Sequence, residues 1–370
     1  MKIVLMQLMG RGGGQLYTAQ ISQALAKTGN EVSLFLAEYL YNSLQYEEKK
    51  LKIITVPIFP ERLSLFLTII NPKTYVDFIS RIDRIRPDII HIVFEDPFSG
   101  FLAFFLSLKY PVVVTEHDPR LHDGAKLWLR FFMFFSRLIT RHCSNVIIVH
   151  GQNLKKILTE GGLPTEKVYV VPHGDYSYFT KWINPDVHEE HAILFFGIIN
   201  RYKGLEYLFQ AVPAILKEFP DLKIIIAGEG DLSRCDKFFN TIRNYEIYNE
   251  YIPDHKVAEL FQRAAIVVLP YTDASQSGVI HIAYSFKKPV IATNIGSLPE
   301  VVDEGKTGFL IPPRNSDAIT QSVISLLKSD AKRREMGENA FLKVTNELSW
   351  NSIAHKTIMI YESVIQKNTQ

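Results

Sequence analysis

Two Rossmann-like α/β domains in one chain are predicted from three observations. Short apolar runs alternate with amphipathic helical stretches in both halves, starting at Lys2 and starting again near Ala192. That alternation builds parallel sheets covered by helices. A glycine turn follows the first strand of each half: Gly10 and Gly12 to Gly14 in one, Gly197 in the other. Finally, 370 residues exceed what one ordinary core organises.

Composition narrows the function. Apolar residues make up 47% and charged residues 22%, the balance of a globular chain. A net charge of +2 gives no field for nucleic acid, so no nucleic-acid partner is expected. Residues 1–175 carry 20 Lys and Arg against 16 acids, and the remainder 21 against 23. Cys143 and Cys235 lie too far apart for a metal or redox spacing and read as reduced thiols of a cytoplasmic protein. MKIVLMQLMG lacks the basic region and long apolar core of a signal peptide. No run of about 18 apolar residues predicts a membrane span.

In order, Lys2–Gln7 is the first buried strand, the glycines follow, and a helix runs to Ala26 with Gly29 as its stop. EVSLFLAE is the next strand. A dinucleotide fingerprint would need a third glycine where Gln15 stands, although Glu38 sits well for a ribose. KIITVPI, PDIIHIVF and YPVVVTEHD read as further parallel strands. The last delivers Glu116, His117 and Asp118 to a strand's carboxyl end, where open α/β sheets bind ligands. His122 and Asp123 follow. Residues 126–142 combine Trp128, Phe131, Phe132, Phe134 and Phe135 with Lys126, Arg130, Arg137 and Arg141, and with no acid. Such a helix suits an anionic membrane surface; the alternative is a buried helix of the first domain. NVIIVHG and KVYVVPHGD are strands. Tyr178–His191, with Pro185 and little periodicity, reads as an interdomain linker.

The second half opens with AILFFG, the loop IINRYKG and a helix from Leu205. A helix start offers free N–H groups and partial positive charge. Arg201 and Lys203 add two full charges at that corner, which suits a diphosphate; the plain alternative is a solvated strand-loop-helix. LKIIIAG, YEIYNEYIPD, AAIVVLP, KPVIAT and TGFLIPP continue the strands, with helices from Lys256 and from about Asp317 to Thr345. Ser275, Ser277, Gly278 and Val279 mark another helix start.

These motifs resemble the retaining, nucleotide-sugar-dependent glycosyltransferases of family 4, with the GT-B fold. Lys203 and Gly204 match the family's G-R-L-x-x-x-K-G corner. Ile198 stands in the arginine slot, and Arg201 is a substitute. KPVIAT, GSLPEVV and the ending LSWNSIAHKTIMIYESVI also match. The resemblance implies two domains facing across a cleft: an acceptor domain of residues 1–178 with the last helix, 350–370, crossing back, and a donor domain of residues 179–349. It implies catalytic roles for His117, Arg201 and Lys203, and donor contacts at Gly13, Gly14, Gly197, Tyr251, Ile252, Ser275, Ser277, Gly278 and Val279. Asp118 and His122 fall on the acceptor side. His173 takes the asparagine's place in the family's P-N-G. The family's glutamate pair is missing: Ala274 or Ser275 stands at the first position, Ile282 or Ala283 at the second. Glu300 reads as a surface acid.

The implied function is sugar transfer from a nucleotide sugar to the hydroxyl of a glycan or lipid-linked acceptor, in cell-surface polysaccharide or glycolipid biosynthesis. No cofactor or metal is implied, and no D-x-D cluster is present. The expected location is cytoplasmic, with peripheral binding to the inner membrane face. The rivals are a non-catalytic subunit of the same fold, favoured by the missing glutamates, and an NAD enzyme, disfavoured by Gln15.

Overall fold

This computed structural model describes residues 1–10, 12–41, 50–58, 61–119, 127–235, 238 and 244–369. The chain divides into two compact units, Met1–Gly174 with Trp350–Gln370, and Asp175–Ser349.

The first unit is built on a seven-stranded sheet in the order β3-β2-β1-β4-β5-β6-β7, every neighbour parallel. Its strands are β1 (Lys2–Gln7), β2 (Glu31–Ala37), β3 (Leu51–Val56), β4 (Ile89–Ile92), β5 (Val112–Thr115), β6 (Val146–Val149) and β7 (Val168–Val170). Its helices are α1 (Gly13–Lys27), α2 (Glu38–Tyr41), α3 (Arg62–Ile70), α4 (Pro72–Ile85), α5 (Ser99–Ser107), α6 (Leu127–Cys143) and α7 (Gln152–Glu160). β4, β5 and β6 are buried along their whole length because helices cover both faces. Strand order reverses between β1 and β4, which makes their carboxyl ends the switch point for a ligand.

The last helix, Trp350–Thr369, belongs to this unit. Trp350, Ile353, Ala354, Tyr361 and Val364 join its core, and burying a side chain such as Ile353 contributes roughly 1.5–3 kcal/mol. Gly174 makes room for it: a Cβ there would lie 2.5 Å from the Trp350 ring. Tyr361 Oη meets His91 Nδ1 at 2.5 Å inside the sheet, and Thr115 Oγ1 meets His91 Nε2 at 2.7 Å. Burial, with His117 nearby, pushes the His91 ring down to about 3.

The second unit holds six parallel strands in the order β10-β9-β8-β11-β12-β13. They are β8 (Ala192–Phe196), β9 (Lys223–Ala227), β10 (Tyr245–Tyr248), β11 (Ile266–Leu269), β12 (Val290–Thr293) and β13 (Gly308–Ile311). The helices described are α8 (Leu205–Glu218), α9 (Asp254–Arg263), α10 (Gly278–Ser285), α11 (Leu298–Val301), α12 (Ser316–Leu327) and α13 (Asp330–Asn346). Here the order reverses between β8 and β11.

The segment expected as a linker, Tyr178–His191, is instead bound into the second unit, together with Asp175, Tyr176 and Ser177. Ser177–Trp182 forms a 3-10 turn against α9. Tyr178 Oη donates to Asp254 at 3.0 Å, and Asn184 and Gln262 exchange hydrogen bonds of 3.0 and 2.8 Å. Two of the segment's acids are partnered. Glu189 pairs with Lys288 at 2.6 Å and Arg333 at 3.0 Å, and Glu190 with Arg263 at 2.6 Å.

Candidate active site

At the second unit's switch point, β8 ends at Gly197, whose φ of +110° favours glycine. Val279 Cγ2 lies 3.7 Å from where a Cβ at 197 would stand, so this turn adjoins the start of α10. The chain then makes a 3-10 turn over Arg201–Lys203 and reaches Gly204 at φ +64°. A Cβ at 204 would come within 2.0 Å of the Pro270 carbonyl oxygen. Glycine there lets the turn lie directly on the end of β11, where Thr272 N–H donates to Tyr202 C=O at 2.7 Å.

This seating places the Lys203 ammonium 3.8 Å from the centroid of Tyr271, a wholly buried ring, and 5.3 Å from that of Tyr202. A cation on a desolvated ring face is held by about 2 kcal/mol. Tyr271 Oη is 3.2 Å from Ser277 Oγ, and Ser277 is the N-cap residue of α10. One corner therefore brings together Gly197, Lys203, Ser277, Gly278 and Val279. The first turn of α10 contains no acidic residue, so its amides keep their positive end. Arg201 is on the same turn and exposed.

The other expected donor residues divide. Ser275 is half-buried and its C=O accepts from Ser297 N–H at 3.1 Å. Tyr251, just beyond β10, is 74% exposed, whereas Ile252 is 8% exposed. Ala274, Ile282 and Ala283 are buried, so these positions of the missing glutamates are filled by apolar packing. Glu300 is exposed.

The first unit's switch point is walled by rings. Gly10 and Gly14 give way to Phe94, whose ring would lie 2.7 and 2.3 Å from a Cβ at those positions. Gly14 thus has a packing reason, while Gly13 is exposed in the first turn of α1. Gln15 donates from Nε2 to Leu40 C=O at 2.6 Å, tethering α1 where a dinucleotide site would need glycine. Tyr17, one turn along α1, is buried with its ring 4.8 Å from His117, 5.1 Å from His150, 5.0 Å from His173 and 5.2 Å from Trp350.

His117 stands at the carboxyl end of β5 and keeps part of its surface open. Its Nε2 meets Val93 C=O at 3.0 Å and its Nδ1 meets His150 Nε2 at 3.0 Å. Burial pushes the His117 ring down to about 3, with the charge of His173 helping and the Asp118 carboxylate opposing. Asp118 is half-buried beside it. His173, in the expected asparagine slot, is buried, bonds Gly174 C=O at 2.8 Å, and is pushed by burial to about 4. His122, Asp123 and Lys126 lie outside the described residues.

Helix α6 corrects one expectation. Arg141 turns inward and grips Glu116 with two nitrogens, Nε at 3.1 Å from Oε2. Arg137 approaches Glu95 at 3.5 Å. Burial and the adjacent Glu116 charge push the Glu95 carboxyl up to about 8, against the pull of Arg137 and Arg141. Arg130 is exposed. The outer face is apolar: Phe131, Phe134 and Leu138 are each more than half exposed.

Two site residues were missed from sequence. Tyr271 carries no local signal, because its cation–ring contact joins loops 68 positions apart, Lys203 to Tyr271. His150 ends β6 as His117 ends β5, and that equivalence was the available signal.

Comparison with known proteins bears on both units. Residues 11–174 match the family described as Glycosyltransferase Family 4, and residues 190–329 match Glycosyl transferases group 1. The chain is 28% identical over 181 residues to the uncharacterized glycosyltransferase MJ1607 of Methanocaldococcus jannaschii, covering 48% of this chain and 46% of that relative, about half its length. It is 21% identical over 361 residues to a phosphatidyl-myo-inositol mannosyltransferase of Mycolicibacterium smegmatis, covering 95% of this chain and 90% of the relative. The crystal structure of Anabaena Alr3699/HepE in complex with UDP and glucose superposes with a TM-score of 0.75 at 17% identity, over 98% of this chain and 100% of the other. With both units matched and the sheet orders described above, the chain belongs to the family 4 glycosyltransferases of group 1, with the GT-B fold.

Proposed function

We propose that the protein transfers a sugar from a nucleotide sugar to an acceptor hydroxyl with retained anomeric configuration. The observation that carries this reading is the second unit's corner, where Lys203, the exposed Arg201 and the acid-free start of α10 surround one strand end. Breaking the anomeric bond leaves negative charge on a diphosphate, and fixed donors aimed at developing charge are usually the largest catalytic term. In this reading Lys203, Arg201 and the Gly278 and Val279 amides take that charge, and no bound metal is assigned the role. Gly197 lets the phosphates approach, Ser275 and Ser277 offer hydroxyls, and Tyr251 and Ile252 border the base. In the first unit His117 meets the donor sugar, Gly13 and Gly14 line its glycine turn, and Asp118 and His122 serve the acceptor. The glycan or lipid-linked acceptor of the proposal accords with a relative named for phosphatidyl-myo-inositol.

The apolar face of α6 supports peripheral membrane docking. Arg137 and Arg141 are engaged inward, so docking here is by aromatic insertion more than by headgroup charge. Among the described residues no helix is long and apolar enough to cross a membrane. A thermal-shift screen against UDP-, GDP-, ADP- and dTDP-sugars tests the donor reading, because a ligand of the folded state alone raises apparent stability. One donor should stabilise the chain and support transfer with the anomeric configuration kept. No stabilisation by any of the four sinks the reading.

A further inference from the structure

Two contacts set residue 203 opposite residue 271. Tyr202 C=O accepts from Thr272 N–H at 2.7 Å, and Gly204 lies so close on Pro270 that a Cβ there would meet its carbonyl oxygen at 2.0 Å. Between these two crossings the Lys203 ammonium comes to 3.8 Å from the centroid of the Tyr271 ring. The ring is fixed through its hydroxyl, where Oη meets Ser277 Oγ at 3.2 Å. Tyr271 is wholly buried, so neither its ring nor its hydroxyl reaches a ligand directly. Lys203 is only half-buried.

What holds the cation decides what the cation can do. Among the described residues no carboxylate pairs with Lys203; its ammonium lies over the rings of Tyr271 and Tyr202 instead. A carboxylate partner would cancel the charge that an anion meets. A ring face attracts a cation through its quadrupole and carries no net charge. The lysine is therefore held without being neutralised. Holding also removes rotamer freedom from a long side chain before any ligand arrives, so less is lost when one binds.

We propose that Tyr271 is a positioning residue of the diphosphate corner: its ring carries the Lys203 ammonium at full charge, and its hydroxyl registers that ammonium against the start of α10. This role rests on the corner taking a diphosphate, as stated above. Ser277 is the N-cap residue of α10, so one side chain links Lys203 to the helix start that carries Gly278 and Val279. Cation and helix start then meet the same anion as one clamp. Charge that develops on a leaving diphosphate finds its donors already in place.

Variants of the full chain test this. Tyr271→Leu removes the ring, and kcat should fall about tenfold with KM within about threefold, since the contact serves charge made in the transition state. Tyr271→Phe keeps the ring and loses the tie to Ser277, so kcat should fall only about two- to threefold. Lys203→Ala with Tyr271→Leu should be no slower than Lys203→Ala alone, because without the cation the ring has nothing to hold. Losses that multiply, or a phenylalanine variant as slow as the leucine variant, overturn the proposal. Pentafluorophenylalanine at position 271 keeps the shape of phenylalanine and reverses the charge of its face. It should be as slow as Tyr271→Leu, and it decides the matter if the leucine variant unfolds. Equal rates for it and for Tyr271→Phe overturn the proposal. Lysine side-chain NMR of the unliganded chain, assigned with Lys203→Ala, reads the contact without activity. The ε-methylene protons of Lys203 should be shifted upfield by the ring in wild type and in Tyr271→Phe, and should return to ordinary positions in Tyr271→Leu. No upfield shift in wild type overturns the proposal. If inorganic pyrophosphate moves that signal but no nucleotide sugar supports transfer, the functional reading fails and Tyr271 keeps its role at the anion corner.

Discussion

The two switch points are built on the same topology and filled with opposite materials. In each unit a first strand ends in a glycine turn, a helix follows, and strand order reverses beside it. In the first unit the space beside that turn holds Phe94, Tyr17 and three histidines. In the second it holds two cations and an acid-free helix start. Parallel sheets supply a place for chemistry, and the side chains at the strand ends decide which chemistry. Most of the first unit's rings are buried against one another, whereas the second unit's corner keeps its cations at the surface, where fixed positive charge suits an anion.

The sharpest way to break this contrast is Lys203→Ala. It should lower turnover on a working donor by roughly 100-fold or more, the scale for losing one fixed donor to developing charge. Steady-state rates equal to wild type would mean the second unit's corner carries no diphosphate.

The next effect concerns the face of the first unit that the ring-lined end does not use. Phe131→Ser with Phe134→Ser removes two exposed aromatics, each contributing up to roughly 1.5–3 kcal/mol when buried in lipid. Vesicle co-sedimentation should fall about tenfold or more. Wild type should favour anionic over neutral vesicles only about fivefold, because Arg130 alone, at about 1 kcal/mol, remains outward among the described arginines of α6. A preference of hundreds would show that Arg137 and Arg141 leave their carboxylates.

The units should also answer pH in opposite senses. Glu95 in the first unit has a raised folded-state value, about 8. Its favourable term is complete below the unfolded value of about 4.5 and is lost as pH rises toward 8. Glu246 in the second unit is held near 2, chiefly by hydrogen bonds from Arg263. Its term is present above about 4.5 and is lost as pH falls toward 2. Hydrogen exchange followed by peptide mapping should find the first unit loosening between about pH 5 and 8 and the second between about pH 4 and 2. Glu95→Gln should remove the first trend; the same trend in both units would discredit the assignment.

The smallest expected effect is Arg201→Ala. Its side chain is exposed and its charge is screened by solvent, so turnover should drop less than about tenfold, well short of Lys203→Ala. A larger loss for Arg201 in the same assay would reverse their order.

Most strands were legible because each is a short apolar run bounded by glycine, proline or polar residues, and local pattern alone decides that. Lys203 was legible through its motif, but the reason for Gly204 was not, since the clashing oxygen belongs to Pro270. Helix α6 misled for a related reason. Its arginines find acids at positions 95 and 116, on other loops, so the sequence of the helix reads as uniformly basic. Tyr178–His191 reads as a linker because its charged residues lack local partners. Lys288 and Arg333 are far along the chain, and the segment is held only once the second unit has folded.

The backbone enters the second unit at Asp175 and leaves it just after Leu348, and Asp175 N–H donates to Leu348 C=O at 2.8 Å. The unit is thus an inserted cassette whose two ends are already buttoned together. Segments with adjoining ends tolerate excision and circular permutation. Residues 175–349 expressed alone should fold, and a variant with 349 joined to 175 by a short linker should keep the Lys203 corner intact. The Lys203 corner could then be titrated apart from the histidine end, each reporting its own chemistry.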